Sequence, residues 1–187
     1  MAVALECDRV KLCLPRTEDA DLLYQWRNDL TDLGLWYPKR HPIDRESFRE
    51  ELTRFEQEHV HIRLMIDYDR EIVGTVYSYD VNLVHGWTYM AIFVDKNHRM
   101  LRAAVAPIAW GLLVEYLFKS FPFRKIYAEA YSFNKISLKT LKSAGLKLEA
   151  QIPQHFYWQG EHHDQYIFAL YREDSPNIIS KFLDKRR

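Results

Sequence analysis

The chain is short of several things, and each shortage excludes a class of protein. Only two of its 187 residues are cysteine, Cys7 and Cys13. With no C-x-x-C spacing and no secretory segment ahead of them, they read as reduced thiols rather than a disulfide framework. An excess of either charge is missing too, since 26 Lys and Arg balance 26 Asp and Glu. No global field therefore selects nucleic acid, an anionic membrane or an acidic substrate, and any electrostatic argument has to be local. The N-terminal MAVALECDRV lacks a basic region followed by a long apolar stretch, and no window approaches the roughly 18 uninterrupted apolar residues of a membrane span. The apolar run from Ala103 to Phe118 is interrupted by Pro107 and Glu115 and reads as a buried helix. The eight histidines include His162-His163-Asp164 but form no H-x-x-x-H or H-E-x-x-H pattern, so no metal site is expected. Together these absences predict a soluble, cytoplasmic protein with no membrane partner. Repeats, low-complexity runs and Pro- or Ser-rich linkers are lacking as well, so residues 1–187 are expected to form a single domain, with 175–187 as a short, basic helical tail.

What is present suits a globular domain. Hydrophobic residues make up 48% of the chain, enough to bury a sizeable core, and the aromatic share of 14% is high; large rings either fill that core or line a pocket for an organic ligand. Val10 to Pro15 alternates like a short strand ending at the proline. Thr17, followed by Glu18 and Asp19, reads as the N-cap of a helix with Leu22, Leu23 and Trp26 on one stripe. After a loop-like aromatic region (Leu33 to Pro42), Asp44 caps a second amphipathic helix carrying Phe48, Leu52 and Phe55. The period then changes to two. His61 to Tyr68 and Ile72 to Tyr79 read as a hairpin about Asp69-Arg70-Glu71, and Trp87 to Val94 as a third strand. A short basic loop, Lys96 to Arg102, runs into the long apolar helix. Lys125 to Tyr131 is a further strand, and Asn134 starts a helix that ends at Gly145. Leu146 to Tyr157 and Gln165 to Tyr171 form a last pair of strands around a polar turn at Gly160 to Asp164. The expectation is an α/β (α+β) fold, a mixed and mostly antiparallel sheet of about six to seven strands flanked by about four helices.

This order of elements resembles the GNAT acyltransferase superfamily along nearly the whole chain. Three motifs bring it closest to the Rim-type N-terminal acetyltransferases of ribosomal proteins. The opening Leu14-Pro15-Arg16-Thr17-Glu18-Asp19-Ala20-Asp21 with Trp26-Arg27-Asn28 is similar to that branch's entry strand and first helix. Asn134-x-x-Ser137 with Ala144-Gly145-Leu146 resembles its N-x-x-[AS] … G-F, and Gly160 … Asp164 … Tyr166 its terminal hairpin. The resemblance implies acetyl-CoA or another acyl-CoA as co-substrate, with the diphosphate held where a loop feeds a helix N-terminus. In the family that loop reads [QR]-x-x-G-x-[GA]. Here Arg99-Met100-Leu101-Arg102-Ala103-Ala104 takes its place, and with the glycine positions set on Met100 and Arg102 the signature is degraded. Arg99 and Arg102, with Lys96 and His98, are the cations that replace lost backbone contacts. The degraded loop leaves two other readings open: a donor on a carrier protein or an aminoacyl-tRNA, and a binding module that has lost its donor. No nucleic acid other than such a tRNA is expected.

Aminolysis of a thioester needs a neutral amine, a base for its proton, donors for the oxyanion and an acid for the thiolate. The resemblance implies two strands that splay apart, with Phe93 and Val94 at the donor and the Val94 N–H on the carbonyl. It also implies Glu129 as base, against the alternative of a strand carboxylate paired with Lys or Arg. Asn134 either binds the pantetheine arm or caps its helix. Ser137 contacts the donor and protonates the thiolate, or is simply solvated. Many relatives carry a tyrosine where this chain has Leu141. The acceptor, a small-molecule or peptide amine, is expected among Trp36, Tyr37, Tyr89, His155 and Tyr157, while Asp164 is expected to fix a turn. The protein would be a monomer or a homodimer.

Overall fold

A computed structural model of the chain describes residues 3–31, 41–57 and 61–183. Its centre is a sheet whose strands are β1 (Val3–Cys7), β2 (Val10–Cys13), β3 (Arg63–Tyr68), β4 (Glu71–Asn82), β5 (Trp87–Val94), β6 (Lys125–Tyr131), β7 (Lys147–Trp158) and β8 (Glu161–Tyr171). They lie in the order β1-β2-β3-β4-β5-β6-β8-β7. Every neighbouring pair is antiparallel except β5 and β6. The helices are α1 (Asp19–Arg27), α2 (Arg45–Gln57), α3 (Arg102–Ser120), α4 (Lys135–Ala144) and α5 (Ser175–Leu183). The sheet thus has eight strands and the described residues five α-helices, more of each than the sequence suggests. The extra strand is β1, too short to show a convincing alternation on its own, which pairs with β2 through the turn at Asp8 and Arg9.

Alternation sorts the side chains onto two faces. On one, Leu64, Ile66, Val76, Met90, Ile126, Ala128, Phe168 and Leu170 meet α3 and α5 in the larger core. On the other, Met65, Tyr77 and Phe93 pack with Leu23, Trp26 and Phe48 from α1 and α2. The apolar run is the core helix α3. Its Val105, Ile108, Leu112, Leu113 and Leu117 are buried, and the helix passes through Pro107 unbroken. By length and composition alone the segment Lys96–Ser120 is apolar enough to cross a membrane, but here the sheet takes its apolar surface. α5 crosses α3 at Gly111, where a Cβ would stand 3.2 Å from Phe182 Cβ. The tail from Ser175 is therefore amphipathic rather than merely basic, burying Ile178 and Leu183. Arg172 closes the C-terminal end of α3, its guanidinium donating to the carbonyls of Phe118, Phe121 and Phe123, where the helix dipole favours a cation.

Local chemistry sets most boundaries. Asp44 accepts hydrogen bonds from the N–H groups of Glu46 and Ser47, both 3.0 Å, as an N-cap should. Thr17 does not cap α1. It lies in a turn, and Asp19 ties that turn by accepting from the Arg16 N–H at 2.8 Å and from its guanidinium. The β3–β4 hairpin turns on Asp69 and Arg70 alone, at φ 53° and 71°, the mirror-image turn that matches the strands' twist. Glu71 already belongs to β4. The last hairpin turns at Gln159 and Gly160, so Asp164 lies inside β8 instead of in the turn. From there its carboxylate accepts from the Gln154 N–H at 3.0 Å and from Gln151 Nε2 at 2.8 Å, pinning a bulge between Ile152 and Phe156 of β7.

Candidate active site

β5 and β6 pair only over Trp87–Lys125, Thr88–Ile126 and Tyr89–Tyr127. Beyond that point β5 stays with β4 as far as Val94, and β6 stays with β8 as far as Tyr131. The two parallel strands therefore part and leave a notch, and because a helix follows each strand, α3 and α4 both begin at its mouth. The Asp95 N–H donates to the Val73 carbonyl at 2.9 Å. Bonded and non-bonded pairs alternate along an antiparallel ladder, so Gly74/Val94 and Val76/Ile92 are the non-bonded ones. The N–H groups of Ile92 and Val94 consequently point away from β4, into the notch, where backbone donors can hold a carbonyl oxygen. Val94 is where the sequence places it. Phe93 opposes Thr75 in the ladder, and its ring turns away from the notch to pack 5.1 Å from Trp26 in the smaller core. Ile92 shares the orientation of Val94 along the strand, and the two-residue alternation was the signal for it.

The basic loop has closed into a 3-10 helix, Lys96–Leu101, that feeds directly into α3. Asp95 organises it. Its buried carboxylate accepts from the Asn97 N–H at 3.0 Å and from Trp26 Nε1 at 3.0 Å, joining the loop to α1. Some amides of the loop are used internally, His98 N–H to Asp95 O at 2.9 Å and Arg102 N–H to Arg99 O. Two of the four basic side chains are committed nearby. Lys96 pairs with Asp29 at 2.6 Å, holding that carboxyl below its usual range, and His98 Nε2 lies 3.6 Å from Glu71. Arg102 reaches back along the notch, its Nη2 donating to the Val94 carbonyl at 3.1 Å. Arg99 and Ala103 are exposed at the start of α3, with Leu101 and Ala104 half-buried beside them. Met100 is 93% exposed. No acid lies in the first turn of α3, so its N-terminus with Arg99 beside it fits an anion such as a diphosphate.

On β6, Tyr127, Glu129 and Tyr131 alternate with the core residues Ile126, Ala128 and Ala130, and so face the α1/α2 side. Glu129 is half-buried just past the point of splay. Its Oε1 accepts from Gln165 Nε2 at 2.7 Å and its Oε2 from the Tyr79 hydroxyl at 3.2 Å. Burial raises the Glu129 pKa above the usual carboxylate value, the two hydrogen bonds oppose that rise, Asp80 adds to it and His155 subtracts. Asp80 is brought close by a bulge in β4, where it sits at φ 48°. Rings surround the carboxylate. Tyr79 packs 5.8 Å from Tyr77 and 5.4 Å from Tyr89, and Tyr89 stacks on Tyr127 at 4.8 Å. Burial lifts the Tyr77 and Tyr89 hydroxyls to about 12, and Tyr79 rises further from burial and from Glu129. These phenols stay protonated at neutral pH, and that of Tyr79 donates to Glu129.

The other expected residues are spread unevenly. Tyr89 belongs to this cluster, and His155 is near enough to Glu129 to favour its ionised form. Tyr157 does not converge on it. It is 51% exposed and opposes His162 near the hairpin tip, five register steps from the Ile167 that opposes Glu129, or roughly 17 Å along the strand. Trp36 and Tyr37 lie outside the described residues. Asn134 caps α4, its Oδ1 accepting from the Ser137 N–H at 3.1 Å, which leaves its Nδ2 group for another partner. Ser137 is half-buried in that first turn, at the notch mouth, and Leu141 packs against the larger core. Tyr79 and Gln165 escaped the sequence reading, since only the assembled sheet brings their strands to Glu129. Among the described residues no cluster of His, Cys, Asp or Glu has the geometry of a metal site.

No curated protein matches the sequence. Among solved structures, the chain is similar to the spermidine N-acetyltransferase of Vibrio cholerae in complex with CoA and spermine, at TM-score 0.81 and 15% identity over 90% of this chain and 99% of that one. It is also similar to RimL, the ribosomal L7/L12 alpha-N-protein acetyltransferase in complex with coenzyme A, at TM-score 0.76 and 14% identity over 91% and 98% of the two chains. A third is the microcin C7 self-immunity acetyltransferase MccE in complex with acetyl-CoA and AMP, at TM-score 0.71 and 18% identity over 88% and 93%. At such identities the likeness is one of fold. The sequence itself goes further: residues 9–147, well over half of the chain, match the acetyltransferase (GNAT) domain, and the chain belongs to that family.

Proposed function

We propose that this chain moves an acetyl or other acyl group from a coenzyme A thioester to a primary amine of a small molecule or peptide, as a cytoplasmic enzyme allied to the Rim-type branch. The observation that carries the reading is the notch, with two backbone N–H groups on one wall, Glu129 on the other and an acid-free helix N-terminus at its mouth. The N–H groups of Ile92 and Val94 stabilise the thioester oxygen as charge develops on it. Glu129 takes the proton from the amine as the C–N bond forms. The C–S bond then breaks, and the thiolate is protonated by Ser137 or by water. Arg99, with Leu101, Ala103 and Ala104 around the first turn of α3, holds the diphosphate, and the Asn134 Nδ2 group faces the pantetheine arm. The acceptor enters over Tyr89 and His155, with Trp36 and Tyr37 contributing from the first loop. Structures of this fold carrying CoA or acetyl-CoA support the donor.

Calorimetric titration with acetyl-CoA, longer acyl-CoAs and free coenzyme A tests the donor. Binding of at least one is expected, and silence from all of them would exclude a soluble coenzyme A donor in favour of a carrier-borne thioester, an aminoacyl-tRNA or a binding role. For a donor that binds, Glu129→Gln is expected to lower kcat by about 10²–10⁴ while leaving donor affinity unchanged.

A further inference from the structure

Two carboxylates on one face of this sheet are held in opposite ways. Glu149 of β7 is gripped by a cation: Lys125 Nζ donates at 2.7 Å and 3.0 Å, with the hydroxyls of Tyr127 and Tyr171 alongside. Burial pushes its pKa up, but Lys125 and the two phenols outweigh that and bring it down. Such a group is an ion pair and a poor proton acceptor. Glu129 has neutral donors instead, and no Lys or Arg among the described residues forms an ion pair with it. Those donors come from both flanks, Gln165 from the adjacent β8 and Tyr79 from β4 across the splayed β5. Tyr79 is itself confined by the rings of Tyr77 and Tyr89.

We infer that Tyr79 and Gln165 are positioning residues that hold Glu129 in one orientation and in its ionised form for the amine; this rests on the reading of Glu129 as the base. With each oxygen bound to a separate donor the carboxylate cannot rotate, and one lone pair of each oxygen stays available. The donors are neutral, so they favour the charged form without quenching its basicity as a lysine would. The other titratable groups near Glu129 are Asp80 of β4, which disfavours its charge, His155 of β7, which favours it, and the Tyr77 phenol of β4. Tyr89 of β5 is a protonated phenol at neutral pH.

The test is the pH dependence of kcat/KM in Gln165→Met and Tyr79→Phe, each of which keeps its bulk and loses its donor. Losing a donor to the carboxylate raises the Glu129 pKa, and a base works only above its pKa. The acid limb should therefore move up by about one pH unit in each variant, with about a tenfold loss on that limb, recovery towards wild type at alkaline pH and unchanged coenzyme A affinity. Acid limbs unmoved in both folded variants, with Glu129→Gln inactive, would overturn the positioning role and leave the base. A Glu129→Gln enzyme that turns over normally would remove the base, and the positioning role with it. If Tyr79→Phe loses its cooperative melting transition, Gln165→Met, at a half-buried site, decides alone.

Discussion

Asn134 spends its side-chain oxygen on the Ser137 N–H, a bond that any helix would welcome at its first turn and that needs no ligand to explain it. Asn134→Ala should cost about 1 kcal/mol of stability, read as a lower urea midpoint. A role for its Nδ2 group in the donor site adds a loss of coenzyme A affinity on top, and the two readouts separate cap from ligand. The same scale shows what sequence reading can reach. Asn134 was legible because its partner lies in the same turn. Glu129 came from a likeness in motif order, but its donors did not: Tyr79 is 50 residues away and Gln165 is 36. No local pattern records a contact made across two strands.

Among the elements, the segment from β5 into α3 decides how the donor is met. Its strand bounds were readable from alternation, and α3 from its apolar run. The coiled state of Lys96–Leu101 was not, because it depends on Asp95 being buried under Trp26 of α1. Arg102 lends its guanidinium to the Val94 carbonyl, on one wall of the notch. Arg102→Gly should free that carbonyl and let the backbone approach the phosphates, so coenzyme A affinity measured by calorimetry is expected to be unchanged or tighter. A loss beyond about tenfold would make Arg102 itself a diphosphate ligand.

The molecule as a whole stands on α3, which the sheet, α5 and Arg172 enclose. Leu113 is fully buried there, and Leu113→Ala should cost about 2–5 kcal/mol. The expected result is a lower denaturant midpoint at an unchanged m-value, with kcat/KM per folded molecule preserved because Leu113 belongs to the larger core, on the face of the sheet opposite Glu129. Sequence alone determined the order of elements, most turns and caps and the family likeness, since periods of two and 3.6 and the backbone preferences of Asp, Asn and Gly act over a few residues. Gly145, at φ 96°, ends α4 for that reason. Only the tertiary structure decided where β5 and β6 part, which amides turn into the gap, and that Glu129 is served by neutral donors while Glu149 receives the lysine. Those are matters of register between strands far apart in the chain. A shift of one residue would send every one of these side chains to the opposite face.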